Sequence, residues 1–104
     1  MKESVVEKYL RERVEGLGGR CFKLVDQPGM PDRLVVLQGL HLVETKRPKG
    51  GRLSLVQKAL HAEMITLGAT PIVLRNHQEI DLWIAQTFTR TSSRRSPRSS
   101  LATA

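Results

Sequence analysis

Cysteine is almost missing from this sequence, and aromatic residues are scarce. Cys21 stands alone, so no disulfide can close within the chain and the disulfide-stapled scaffolds are excluded. No apolar run approaches the roughly 18 residues needed to span a bilayer. The amino end lacks the basic segment followed by an apolar stretch that marks a secretory leader. The expectation is a soluble protein of a reducing compartment, cytoplasmic, and of the bacterial host's cytoplasm if the gene is a phage's. Only four residues are aromatic, and Tyr9 and Trp83 read as packing residues rather than platforms for stacked bases. Acids are few as well: 10 against 17 lysines and arginines, a formal charge of +7.

That excess is unevenly placed. Residues 87–104 hold Arg90, Arg94, Arg95 and Arg98 and no acid, and taking those four from +7 leaves +3 on residues 1–86. The reading is a folded unit over 1–86 followed by a basic, Ser- and Arg-rich tail over 87–104. A basic balance suits a polyanionic partner held through phosphate contacts, although a solubilising tail produces the same total. A chain of 104 residues with 39% hydrophobic content supports one modest core.

Periodicity sets the element order. Val6, Leu10, Val14 and Leu17 predict a helix over 3–17 that stops at Gly18-Gly19. At about 100° per residue Glu3 lies about 25° from the centre of that apolar stripe and Glu7 about 65°, which aims Glu3 nearly inward. "RCFKLV" (20–25) predicts a strand ended by the "DQPGMP" turn, and "RLVVL" and "LHLVETK" predict a hairpin around Gln38-Gly39. A two-residue loop would set Asp32 opposite Thr45. A three-residue loop of Leu37, Gln38 and Gly39 sets it opposite Glu44, and Gly39 suits the left-handed position that loop requires. The three-residue form, or a bulge having the same effect, is expected, placing Asp32, Glu44 and Lys46 on one face and Val35, Leu37 and Val43 on the other. Ser54 with Gln57 forms a capping-box pattern that opens a helix carrying Val56, Leu60, Met64 and Leu67 inward. "PIVLR" (71–75) predicts a strand parallel to its predecessor, and Asn76 with Glu79 opens a last helix whose Ile80, Trp83 and Ile84 face inward.

Two carboxylates on one face make an oxygen-donor site of the kind a hard divalent cation takes, and a lysine two residues beyond Glu44 stands beside any bound water. That combination points to metal-assisted phosphodiester hydrolysis. "PD" at 31–32, eleven residues, then "ETK" at 44–46 resembles the PD-(D/E)xK nuclease superfamily. With Glu3 in a first helix, "GMPD", "VETK" and "GGRLSLVQ", the chain is similar, over roughly residues 3–75, to its VRR-Nuc (virus-type replication-repair nuclease) branch.

The resemblance implies an α/β, restriction-endonuclease-like αβββαβ core, a mixed sheet flanked by helices. It implies that Asp32 and Glu44 hold Mg²⁺ or Mn²⁺, that the carbonyl of Thr45 adds a ligand, that Lys46 is the catalytic lysine and that Gln57 lies beside the site. Glu3 would be the first-helix acid near the metal, with Glu7 as the competing choice. It implies a metal-dependent endodeoxyribonuclease leaving 5′-phosphate and 3′-hydroxyl ends. Small stand-alone members resemble resolvases of four-way (Holliday) junctions, which implies branched DNA as substrate and a homodimer. The outer side of the last helix and the apolar residues near Phe88 are the candidate dimer faces.

Plainer readings stand beside these. Asp32 after Pro31 caps turns, Glu44 and Lys46 form ordinary surface pairs, and Gln57 closes a capping box. Arg47, Lys49 and Arg52 in "KRPKGGR" are either a solvated charge run or a phosphate-binding loop. His41, His61 and His77 lack zinc-site spacing and read as structural, His61 standing one turn beyond Gln57 on the same helix face. A nuclease fold that only binds DNA is the main alternative, and a small basic RNA-binding protein is a third.

Overall fold

A computed structural model describes residues 3–25 and 27–89. Most of the expected basic tail, 90–104, lies outside the described residues. The order is α1 (Glu3–Gly16), β1 (Arg20–Lys23), β2 (Arg33–Val36), β3 (Leu40–Thr45), α2 (Leu55–Thr66), β4 (Ile72–Leu74) and α3 (His77–Ile84), which continues into a π turn over Ala85–Thr89. One four-stranded sheet runs β1-β2-β3-β4, antiparallel up to β3 and parallel between β3 and β4. The αβββαβ mixed sheet expected from the sequence is therefore present.

The hairpin is the element on which the site depends. Val36 pairs with Leu40 and Arg33 with Val43, leaving Leu37, Gln38 and Gly39 as a three-residue loop. Gln38 at φ 51° and Gly39 at φ 120° carry the left-handed turn. Continued one residue past Arg33, this register sets Asp32 opposite Glu44, as the longer loop requires.

Alternation then divides the sheet. Val35, Val43, Thr45 and Leu74 are buried on one face beneath Val6, Leu10 and Val14 of α1 and Ile80 and Ile84 of α3. Burying a Val or Leu side chain of this kind contributes roughly 1.5–3 kcal/mol, so this layer supplies most of the fold's driving force. Phe88 joins that core, meeting Trp83 and His41 edge to face at centroid distances of 5.1 and 5.2 Å. Through this ring the last helical segment, Ala85–Thr89, is held against the core. Burial also removes Phe88 as a dimer face.

The other face is thinly covered. Of the four residues expected to point inward from α2, only Leu60 and Met64 are partly covered; Val56 is mostly exposed and Leu67 is 77% exposed, while His61 is the buried residue. The helix is turned so that the row through Gln57, His61 and Met64 meets the sheet, and Leu67 falls after its last turn. Leu17 is likewise exposed, because α1 ends at Gly16. The apolar spacing located both helices; their rotation and ends were decided by polar anchors.

Candidate active site

Asp32 is fixed from three directions. Pro31 before it is buried, and its own carbonyl accepts from the Leu24 N–H at 2.8 Å. Its carboxylate accepts from the Thr45 N–H at 3.1 Å and from the Thr45 hydroxyl at 2.7 Å. The carboxylate is therefore held by the residue after its register partner, whose side chain lies on the α1 and α3 face of the sheet, opposite to that of Glu44. A carboxylate offers about four lone-pair directions, so two remain after these bonds.

Glu44 lies 3% exposed at the end of β3. Its Oε2 carries two donors: the Lys46 ammonium at 3.3 Å, two residues on along the same strand face, and the Gln57 amide at 3.0 Å from α2. Its Oε1 is buried with no partner. Gln57 also takes the Ser54 N–H on its own oxygen at 2.9 Å while its backbone N–H bonds the Ser54 hydroxyl at 3.1 Å. The capping-box and active-site readings of Gln57 hold together: the oxygen closes the helix start and the amide nitrogen grips Glu44. Gly29 allows this placement. At φ 85°, a Cβ there would come within 2.8 Å of the Val56 carbonyl oxygen, so only glycine lets the first turn of α2 settle against the turn before Asp32.

The acids of α1 arrive differently from the expectation. Glu3 is exposed, because inward aim on a helix gives burial only where the sheet extends beneath it, and the first turn lies beyond that cover. Its charge is still felt at Glu44. Glu7 is half-buried, pairs with the Arg33 guanidinium at 3.5 Å and makes a carboxyl contact with Asp32. Arg47, Lys49 and Arg52 are exposed on the loop that follows Lys46.

This crowding raises both central carboxyls. Burial, the contact with Glu7 and the charge of Glu44 push Asp32 up to about 7 against the bonds from Thr45, which favour the ionised form. Burial raises Glu44, and Lys46 opposes it. Among the described residues no group of three or more His, Cys, Asp or Glu side chains forms a ready-made metal cage. The donors fit a hard divalent ion nonetheless: the unpartnered Glu44 Oε1 and the spare lone pairs of Asp32 are oxygen donors of the kind such an ion takes.

Three features carry little or no signal in the apolar pattern: the two hydrogen bonds from Thr45 to Asp32, the Glu7–Arg33 pair, and the burial of His61. Helical spacing signalled two of them, since Glu7 is one turn from Glu3 and His61 one turn from Gln57.

The sheet order, the helices and the carboxylates at the strand ends define an α/β domain of the restriction-endonuclease-like class. A solved structure of a VRR_NUC domain is similar to 85% of this chain and 99% of that chain, with 32% identity and a TM-score of 0.76. The chain belongs to the VRR-Nuc family and is a nuclease domain. No protein-family model and no curated protein matches it.

Proposed function

We propose that this domain is a divalent-metal-dependent DNA endonuclease in which Asp32, Glu44 and the Thr45 carbonyl hold Mg²⁺ or Mn²⁺. The observation that carries the reading is Glu44: one oxygen clamped by Lys46 and Gln57, the other buried and bare. When bound, the ion lowers the pKa of a water and neutralises charge on the phosphate. Water adds to phosphorus, the bond to the 3′ oxygen breaks, and a proton ends on that oxygen. This leaves 5′-phosphate and 3′-hydroxyl termini. Lys46, held at the site by Glu44, has protons left to donate to a phosphate oxygen and offsets its growing charge. Thr45 fixes the Asp32 carboxylate, Gln57 fixes that of Glu44, and both act as positioning residues. Glu3 adds negative field from the Glu44 side and Glu7 from the Asp32 side. Arg47, Lys49 and Arg52, next along the chain, take flanking phosphates.

Branched DNA, such as a four-way junction, is the proposed substrate and a homodimer the active form. Selection by DNA shape rather than by base sequence goes with that reading. Exposed Leu55, Val56 and Ile65 along α2, and Leu82 on α3, supply apolar surface for a second copy.

One observation favours the other reading, a domain that binds DNA without turnover: both Asp32 oxygens already accept bonds from Thr45. Labelled four-way junction, flap and linear duplex, each with and without Mg²⁺ or Mn²⁺, separate the two. Cutting that needs metal and disappears in Lys46→Ala supports the enzyme. Tight binding with no product in either metal establishes the silent module.

A further inference from the structure

We propose that His61 is a nitrogen ligand to the cation held at Glu44, so that the site selects first-row transition ions over Mg²⁺. The inference rests on the metal-dependent reading and deepens it by naming the class of ion.

Two buried atoms at the site lack partners. Glu44 Oε1 and His61 Nε2 are both enclosed by protein and both unbonded, on side chains 3% and 6% exposed. Buried polar atoms without partners are uncommon, and two in one neighbourhood point to a missing ligand. The neighbourhood is shared because His61 lies one turn beyond Gln57 on α2, about 6 Å along the axis, and Gln57 already touches Glu44. His61 also acts on the Glu44 carboxyl as a positive charge does, favouring its ionised form, and a metal ion would take the place of that proton. Lys46 and Gln57 both bind Oε2, which leaves Oε1 as the open donor. A carboxylate oxygen only accepts, and an imidazole nitrogen without its proton does the same, so an electrophile between them satisfies both. Mg²⁺ takes oxygen and keeps its waters, whereas imidazole suits later transition ions, with affinity rising from Mn²⁺ through Co²⁺ to Ni²⁺.

Calorimetric titration of the metal-free full chain with Mg²⁺, Mn²⁺, Co²⁺ and Ni²⁺ tests this, together with the visible absorption of the Co²⁺ form. The wild type should bind in the order Mg²⁺, Mn²⁺, Co²⁺, Ni²⁺ with Ni²⁺ tightest. His61→Ala and His61→Gln should lose at least about tenfold for Co²⁺ and Ni²⁺, leave Mg²⁺ within about twofold, and shift the Co²⁺ spectrum. His61→Gln keeps a polar side chain of similar bulk and carries the test if the alanine variant unfolds. Equal losses for all four ions, or none, overturn the proposal. If the wild type still cuts DNA in Mg²⁺ while His61→Gln keeps the wild-type metal order, this inference alone fails. Absence of both metal binding and cleavage in the wild type removes the underlying reading as well.

Discussion

Replacing Asp32 with Asn should stabilise the metal-free protein at alkaline pH while destroying its response to metal. In the folded chain Asp32 is pushed from its ordinary 3.8 to about 7, chiefly by burial. The folded state therefore holds a proton that the unfolded state releases between about pH 4 and pH 7. The stability attached to that proton is fully present below pH 3.8 and is lost as the pH rises through about 7. At about 1.4 kcal/mol for each tenfold change in equilibrium, the displacement corresponds to about 4 kcal/mol. Asp32 keeps some contact with solvent, which screens the effect, and about 2 kcal/mol is the working figure.

Asn keeps an oxygen for the Thr45 N–H, and the Thr45 hydroxyl can rotate to accept from the Asn amide, so little is lost from the bonds themselves. In EDTA at about pH 8, Asp32→Asn should unfold in urea with about 2 kcal/mol more stability than the wild type, and the gap should close near pH 4. Saturating Mg²⁺ or Mn²⁺ should raise the wild type by about 2–3 kcal/mol through binding to the folded state and leave Asp32→Asn nearly unmoved. A variant less stable than the wild type at pH 8, or a gap indifferent to pH, would refute the reasoning.

Gln57 serves two ends, and two variants separate them. Ser54→Ala should cost about 1 kcal/mol in urea unfolding and leave cleavage intact, whereas Gln57→Ala should cost a similar amount and also lower the cleavage rate by about tenfold or more. Deleting Gln38 shortens the hairpin loop to two residues and moves Asp32 out of register with Glu44. Circular dichroism should keep the strand and helix signal while cleavage is lost, and retained cleavage would show that the loop does not set the site.

Much of the architecture could be read from the chain because the signals were local. Gly39 after Gln38 selected the hairpin loop, and that loop set Asp32 opposite Glu44 in register, although the Asp32 carboxylate itself is held by Thr45. Ser54 with Gln57 located the start of α2, and Asn76 that of α3, through bonds within four residues. What escaped depended on surroundings the chain does not announce. Glu3 aims inward by helix angle yet lies exposed, because angle says nothing about where the sheet ends. Apolar spacing on α2 put Val56 and Leu67 inside, but the Gln57–Glu44 bond turned the helix and brought His61 inward. Phe88 sits among Ser, Thr and Arg, and only the pocket beside Trp83 and His41 reveals it as core. The Thr45 grip on Asp32 crosses between strands and had no sequence signal beyond its place between Glu44 and Lys46.

The claim beneath all of this is that Asp32 and Glu44 share one divalent cation, with the Lys46 ammonium alongside. Anomalous X-ray scattering at the manganese edge from crystals grown with Mn²⁺ tests it most directly. The account predicts a peak bonded to Glu44 Oε1 and to an Asp32 oxygen. Well-ordered Asp32 and Glu44 side chains with no anomalous peak between them, in crystals saturated with Mn²⁺, would contradict it.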